Sequence, residues 1–134
     1  MPRKIAQSDA EWRARLTPLQ YNIARKKGTE RAFSGEYLAN TLPGIYCCIG
    51  CGNALFDAQA KFDDGTGWPS FRTPLHTDCI RTGEDHAWFR KRIEAACAAC
   101  GAHLGHVHDE GSPASGGPHY RINSAVLQFK PSKG

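Results

Sequence analysis

Gly44-Ile45-Tyr46-Cys47-Cys48-Ile49-Gly50-Cys51-Gly52 contains a short apolar run that ends in a Cys-x-x-Cys turn. Its partner is Ala95-Ala96-Cys97-Ala98-Ala99-Cys100-Gly101, in which a second turn of the same spacing again closes on glycine. Two intervening residues let both sulfurs of a turn face one centre, and two such turns supply the four soft thiolates of a tetrahedral zinc site. A glycine after each second cysteine suits a backbone that folds sharply under a metal. The competing readings are two unrelated pairs of free cysteines, or a redox Cys-x-x-Cys. The 45 residues between the pairs exceed a compact zinc ribbon, so one ion at Cys48, Cys51, Cys97 and Cys100 would clamp two distant hairpins. All four positions would be filled by protein, which makes the site structural.

Outward from these turns the chain is punctuated by Gly, Pro, Asn and Asp, with apolar runs only a few residues long such as Ala125-Val126-Leu127-Gln128-Phe129. That pattern predicts short antiparallel strands. Gly111–Pro118 reads as a loop by composition. Ahead of residue 28 the reading is helical. Ser8-Asp9-Ala10-Glu11 forms a capping box, and Trp12 and Leu16 lie four apart on one stripe. Thr17-Pro18 opens a second helix carrying Leu19, Tyr21, Ile23 and Ala24, with Gly28 as its stop. The expectation is one domain over residues 1–134, a helical arm (1–28) on a mainly β core (29–134).

Composition excludes several classes. At 134 residues, 40% hydrophobic and 22% charged, the chain can build one core and is not a disordered segment. No apolar run reaches the roughly 20 residues of a bilayer span, and the start carries no apolar secretion signal. No membrane partner is expected, and a reducing cytoplasmic setting follows, where six cysteines serve as ligands or thiols rather than disulfides. The net charge of +4 sits in residues 1–31, with eight Lys and Arg against three Asp and Glu. Arg25-Lys26-Lys27 reads as a solvated helix end, without the interleaved aromatics of a nucleic-acid face.

Two further constellations carry chemistry. His103-Leu104-Gly105-His106-Val107-His108 places 106 and 108 on one face of a strand, and a turn at Gly105 could bring 103 to 106. With Asp109 and Glu110 following, this suits a second metal site or a proton-handling pocket. Gly65-Thr66-Gly67-Trp68-Pro69-Ser70-Phe71 sets an indole between a glycine-rich turn and a proline, either as core or as a platform for an apolar or sulfur-bearing ligand.

Together with Gly28–Tyr37, Lys61-Phe62, Arg92-Ile93-Glu94 and Ile122-Asn123-Ser124-Ala125, these motifs follow one another in the order found in the B-type methionine sulfoxide reductases, which the chain resembles from about Trp12 to Phe129. The resemblance implies a zinc-stapled β-tent of two antiparallel sheets with short N-terminal helices. It implies structural zinc at the four paired cysteines and Trp68 as the receiver of the substrate's methyl group. His103, His106 and Asn123 would surround the sulfoxide oxygen of methionine-R-sulfoxide, free or in oxidised proteins. The implied reaction is attack of a thiolate on the sulfoxide sulfur, with the resulting sulfenic acid recycled by thiols such as thioredoxin.

The sequence departs from that pattern where the attacking thiol belongs. In His119-Tyr120-Arg121-Ile122-Asn123-Ser124 the nucleophile position is Arg121, and a guanidinium cannot attack sulfur. His119 stands where Arg is usual, His108 where Phe is usual, Glu110 where Asp is usual, one residue is inserted near Ser112, and Thr66 occupies the resolving position. Three readings follow: a sulfoxide- or small-ligand-binding module without catalysis, an enzyme altered at one codon, or an enzyme using Cys79 or Cys47 instead. Arg121 either turns inward, toward a ligand oxygen or Glu110, or outward to solvent. Glu110 and His119 are counted with Trp68 as candidate substrate-binding groups.

Overall fold

The computed structural model describes residues 8–85, 92–108 and 119–132. Two short helices lead: α1 (Asp9–Arg15) and α2 (Pro18–Lys26). Both start in a capping box, Ser8 with Glu11 and Thr17 with Gln20, which satisfies amide donors that a short helix has no turn to spare for. Trp12, Ile23 and Ala24 are buried, whereas Leu19 is exposed and lies off the packed stripe. The stop is one residue earlier than expected: Lys27, at φ 57°, takes the left-handed cap, and the Gly28 amide closes the turn on the Asn22 carbonyl.

Nine strands follow among the described residues: β1 (Gly44–Cys48), β2 (Ala54–Asp57), β3 (Lys61–Phe62), β4 (Ser70–Phe71), β5 (Ile80–Asp85), β6 (Arg92–Cys97), β7 (His103–His108), β8 (His119–Ile122) and β9 (Leu127–Pro131). They form two sheets, β2-β1-β9 and β3-β4-β8-β7-β6-β5, with every pairing antiparallel. The mainly β expectation holds. The run Ala125–Phe129 is not one strand: residues 124–126 make a 3₁₀ turn, and β9 begins at Leu127. The inner faces meet through aromatic rings. Phe56 of β2 stacks on Phe71 of β4 at 4.3 Å, and Tyr46 of β1 meets Phe71 edge-on at 5.2 Å.

A bulge in β7 sets the outer face of the larger sheet. Ala95 pairs with Gly105 and its neighbour Ala96 pairs with His103, so Leu104 is the extra residue. One extra residue reverses the alternation. His103 therefore joins His106 and His108 on the face that also carries Arg92 and Glu94, without the turn at Gly105 that the sequence suggested. Leu104 itself is fully buried. Gly105 must stay bare, because a Cβ there would lie 2.0 Å from the Arg121 carbonyl. Across the ladder His106 faces Arg121 and His108 faces His119, so strand alternation alone places all of these on one polar face.

Candidate active site and metal cluster

The four paired cysteines converge. All four Sγ atoms lie within 4.8 Å of one another, with Cys48 to Cys100 at 3.6 Å and Cys51 to Cys97 at 3.7 Å. A tetrahedral ion with metal–sulfur bonds of about 2.3 Å needs sulfurs about 3.8 Å apart. The donor set thus fits one thiophilic metal ion, held between the end of β1 and the turn joining β6 to β7. Cys47 and Cys79 are buried outside this cluster, and burial raises both thiol pKa values. The Cys79 thiol donates to the His76 and Leu55 carbonyls.

The second site is a small cavity of about 180 Å³ on the polar face, lined by Thr29, Trp68, Arg92, Gly105, His106, His108, Arg121 and Asn123. Of the residues singled out in the sequence, Trp68, His106, His108, Arg121 and Asn123 are brought to its wall. His103 and His119 are not. Neither Cys47 nor Cys79 reaches it, so the displaced thiol finds no support in the geometry, and among the described residues no cysteine lines it. Glu110 and the loop Gly111–Pro118 lie outside the described residues.

Arg121 turns inward. Its Nε donates to Asp64 Oδ2 at 3.0 Å and its Nη1 donates to His108 Nδ1 at 3.3 Å. The side chain is 14% exposed and that of Asp64 only 7%. Asp64 is thus a carboxylate partner of Arg121 among the described residues. His119, fully buried, lies 3.2 Å from the same Asp64 oxygen and stacks on His108. Burial would raise the Asp64 pKa, but hydrogen bonds from the Thr66 hydroxyl and amide, from Ser70 and from Arg121 outweigh it and hold it at about 2. A turn makes this affordable: the Gly65 amide donates to Asp63 and the Thr66 amide to Asp64.

The other wall is braced by Glu30. Its amide donates to Asn123 Oδ1 at 2.9 Å, its carbonyl accepts the Trp68 indole N–H at 3.0 Å, and its carboxylate accepts the Ala125 amide at 2.9 Å. Asn123 also donates to the Leu104 carbonyl. Its amide therefore shapes the pocket as a spacer between backbones. Behind His106, the His103 ring donates through Nδ1 to Glu94 at 2.6 Å, and Lys27 reaches the same carboxylate at 3.6 Å. Asp64, Glu30 and Glu94 were not chosen from the sequence as site residues. For Asp64 the available signal was the Asp-Asp-Gly-Thr-Gly turn one step before Trp68.

A two-sheet β fold with a four-thiol metal cluster and a pocket walled by a tryptophan, histidines and arginines narrows the class, and comparison with known proteins then fixes it. The model of the SelR domain matches residues 16–131. The chain is 49% identical over 126 residues to a peptide methionine sulfoxide reductase MsrB of Methanosarcina mazei, covering 94% of this chain and 89% of that one. A protein of the same name from Thiobacillus denitrificans is 50% identical over 124 residues, covering 92% and 93%. Mouse mitochondrial methionine-R-sulfoxide reductase B3 is 47% identical over 129 residues, covering 96% of this chain and 51% of its own length. The chain belongs to the SelR-domain family.

The depressed Asp64 pKa fixes a sign. A carboxyl whose folded pKa (about 2) lies below its ordinary value of 3.8 stabilises the fold fully above that ordinary value. The contribution disappears as pH falls through about 2, and amounts to about 2 kcal/mol. Urea titrations of the parent should therefore lose stability between about pH 4 and pH 2. Asp64→Asn should be weaker at pH 7 and should lose less stability than the parent across that window; an unchanged pH profile in the variant would contradict the pairing.

Proposed function

We propose that this protein recognises methionine-R-sulfoxide, free or within oxidised proteins, and does not reduce it, because the position that the resemblance assigns to the attacking thiol carries a fixed cation. The observation that carries this is the inward Arg121, held 3.0 Å from Asp64 at the pocket wall. In the family reaction a thiolate attacks the sulfoxide sulfur while the oxygen takes up a proton; the S–O bond then breaks as the hydroxyl passes to the thiol sulfur, methionine leaves, and the sulfenic acid is recycled by thiols. A guanidinium keeps its protons and has no lone pair to offer sulfur. What remains is the binding half of the site. Trp68 offers an apolar face for the methyl group, and His106 and Arg121 offer donors toward the oxygen. His103, oriented by Glu94, and His119, against Asp64, support that wall from behind. With no attacking thiol, thioredoxin has no sulfenic acid to reduce.

We read the whole chain, residues 1–134, as one such domain. The ion in the thiolate cluster is zinc on this reading: four cysteines in Cys-x-x-Cys turns are its preferred structural donor set. We read the protein's setting as the cytoplasm, in keeping with four of the six cysteines converging as donors for one metal ion. No helix among the described residues is long and apolar enough to cross a membrane.

Elemental analysis should find one zinc per chain, and a strong chelator should unfold the protein, since binding and folding are linked in such sites. Retention of the native circular dichroism without metal would refute a structural role.

For the pocket, methionine-R-sulfoxide should bind the parent with the S epimer much weaker, and Trp68→Ala should lose at least tenfold in affinity. Arg121→Cys separates a diverged binder from an enzyme altered at one codon. Because Asp64, His108 and His119 are all built around the guanidinium, the variant should recover only a small part of the turnover of a cysteine-bearing relative. Full recovery would show that a single substitution disabled an otherwise intact enzyme.

A further inference from the structure

We propose that Phe33 is a specificity residue of this site: it receives an apolar side chain that neighbours the oxidised methionine in a polypeptide, so that the pocket prefers methionine-R-sulfoxide within a chain to the free amino acid. The inference rests on the reading that the pocket binds methionine-R-sulfoxide, and adds the part of the substrate that stays outside it.

The backbone at Phe33 is costly. The Ser34 amide donates to the Arg31 carbonyl at 3.1 Å, which closes residues 31–34 into a turn with Phe33 in its third position. There φ is 64°, in the left-handed region that bulky side chains rarely adopt and that such turns normally give to Gly or Asn. Burial does not offset this, since Phe33 is 70% exposed. A lone exposed apolar side chain is ordinary. A phenylalanine that is both strained and left in water serves neither the turn nor the core, and residues strained in this way cluster at ligand sites.

Phe33 is held beside the pocket. Its amide donates to the Gly67 carbonyl at 2.7 Å, and its ring packs so closely that a Cβ on Gly67 would lie 2.7 Å from it. Gly67 leads directly into Trp68, the apolar wall. Glu30, three residues before Phe33, accepts the Trp68 indole N–H, and Thr29 is itself in the lining. Residues 29–33 thus form one margin of the pocket, with Thr29 inside it and Phe33 against the turn that carries Trp68.

Size decides what reaches that margin. The cavity of about 180 Å³ is smaller than the roughly 300–1,000 Å³ that hold drug-sized ligands. It takes the sulfoxide end of a methionine side chain and leaves the substrate's backbone at the rim. Neighbouring residues of an extended chain follow at about 3.3 Å each, which carries a side chain one or two positions away across the margin. An apolar one covers the Phe33 ring and removes both from water. Free methionine-R-sulfoxide has no such side chain to offer.

Isothermal titration of the intact protein with acetyl-Leu-Met(R-sulfoxide)-Leu-amide, acetyl-Gly-Met(R-sulfoxide)-Gly-amide and acetyl-methionine-R-sulfoxide methylamide tests this. The leucine peptide should bind at least fivefold tighter than the other two. Phe33→Asn, which suits the turn, should cut that advantage below twofold, leave the methylamide within twofold of the parent and keep or raise the melting temperature. Phe33→Leu should retain part of the advantage. Equal binding of the leucine and glycine peptides to the parent, a comparison that needs no variant, overturns this inference and leaves the functional reading standing. An advantage that survives in Phe33→Asn overturns it as well. So does an equal loss for all three ligands or a lowered melting temperature in that variant, which would make Phe33 a prop of the Trp68 wall. If none of the three binds the parent, the functional reading falls and this inference with it.

Discussion

A guanidinium cannot give up its proton, so at a mostly buried position it must be matched by an anion, and Asp64 matches Arg121. Much of the pocket follows from that pair. The carboxylate has to be presented from the opposite side of the strand ladder, which the Asp63–Gly67 turn does by spending its amides on the two aspartates. The same turn delivers Trp68 to the wall. His119 is then confined between Asp64 and the Phe62 ring, and His108 lies over His119. Removing Asp64 would leave a charge without its partner in a site built around it. Replacing Arg121 by a thiol would instead leave a carboxylate still hydrogen-bonded by Thr66 beside the new nucleophile, an electrostatic setting that opposes thiolate formation.

Two devices of the fold make the face on which this happens. The bulge at Leu104 brings His103 into line with His106, and the thiol cluster ties β1 of the smaller sheet to the β6–β7 turn of the larger one. Glu30 then locks residues that are far apart in sequence, Trp68 and Asn123, to one backbone segment. That wall of the pocket is therefore held by backbone-directed hydrogen bonds.

The sequence reading reached the fold class, both helices, the metal cluster and most of the wall, because those rest on local signals. Capping boxes, Cys-x-x-Cys spacing and a Gly-x-Gly-Trp turn are legible over a few residues. What it did not reach depends on pairing across the sheet. Strand alternation separates His103 from His106, and only the register with Ala95 and Ala96 reveals the extra residue. Asp64 lies 57 residues before the arginine it partners, and nothing local marks one aspartate of the Asp63-Asp64 pair for that task. The sequence pointed to Glu110, which lies outside the described residues. Residue 27 took the helix cap in place of Gly28 for a local reason: the Gly28 amide is used to close the last turn on Asn22.

The account turns on whether any sulfur in this protein attacks a sulfoxide, and a single-turnover measurement settles that without a recycling partner. The fully reduced, metal-loaded protein is mixed with excess methionine-R-sulfoxide in the absence of any other thiol, and methionine formed per chain is counted by mass spectrometry. An attacking thiol would yield one equivalent of methionine and leave one cysteine as a sulfenic acid or disulfide. The account predicts no methionine and six unmodified cysteines; one equivalent per chain would contradict it.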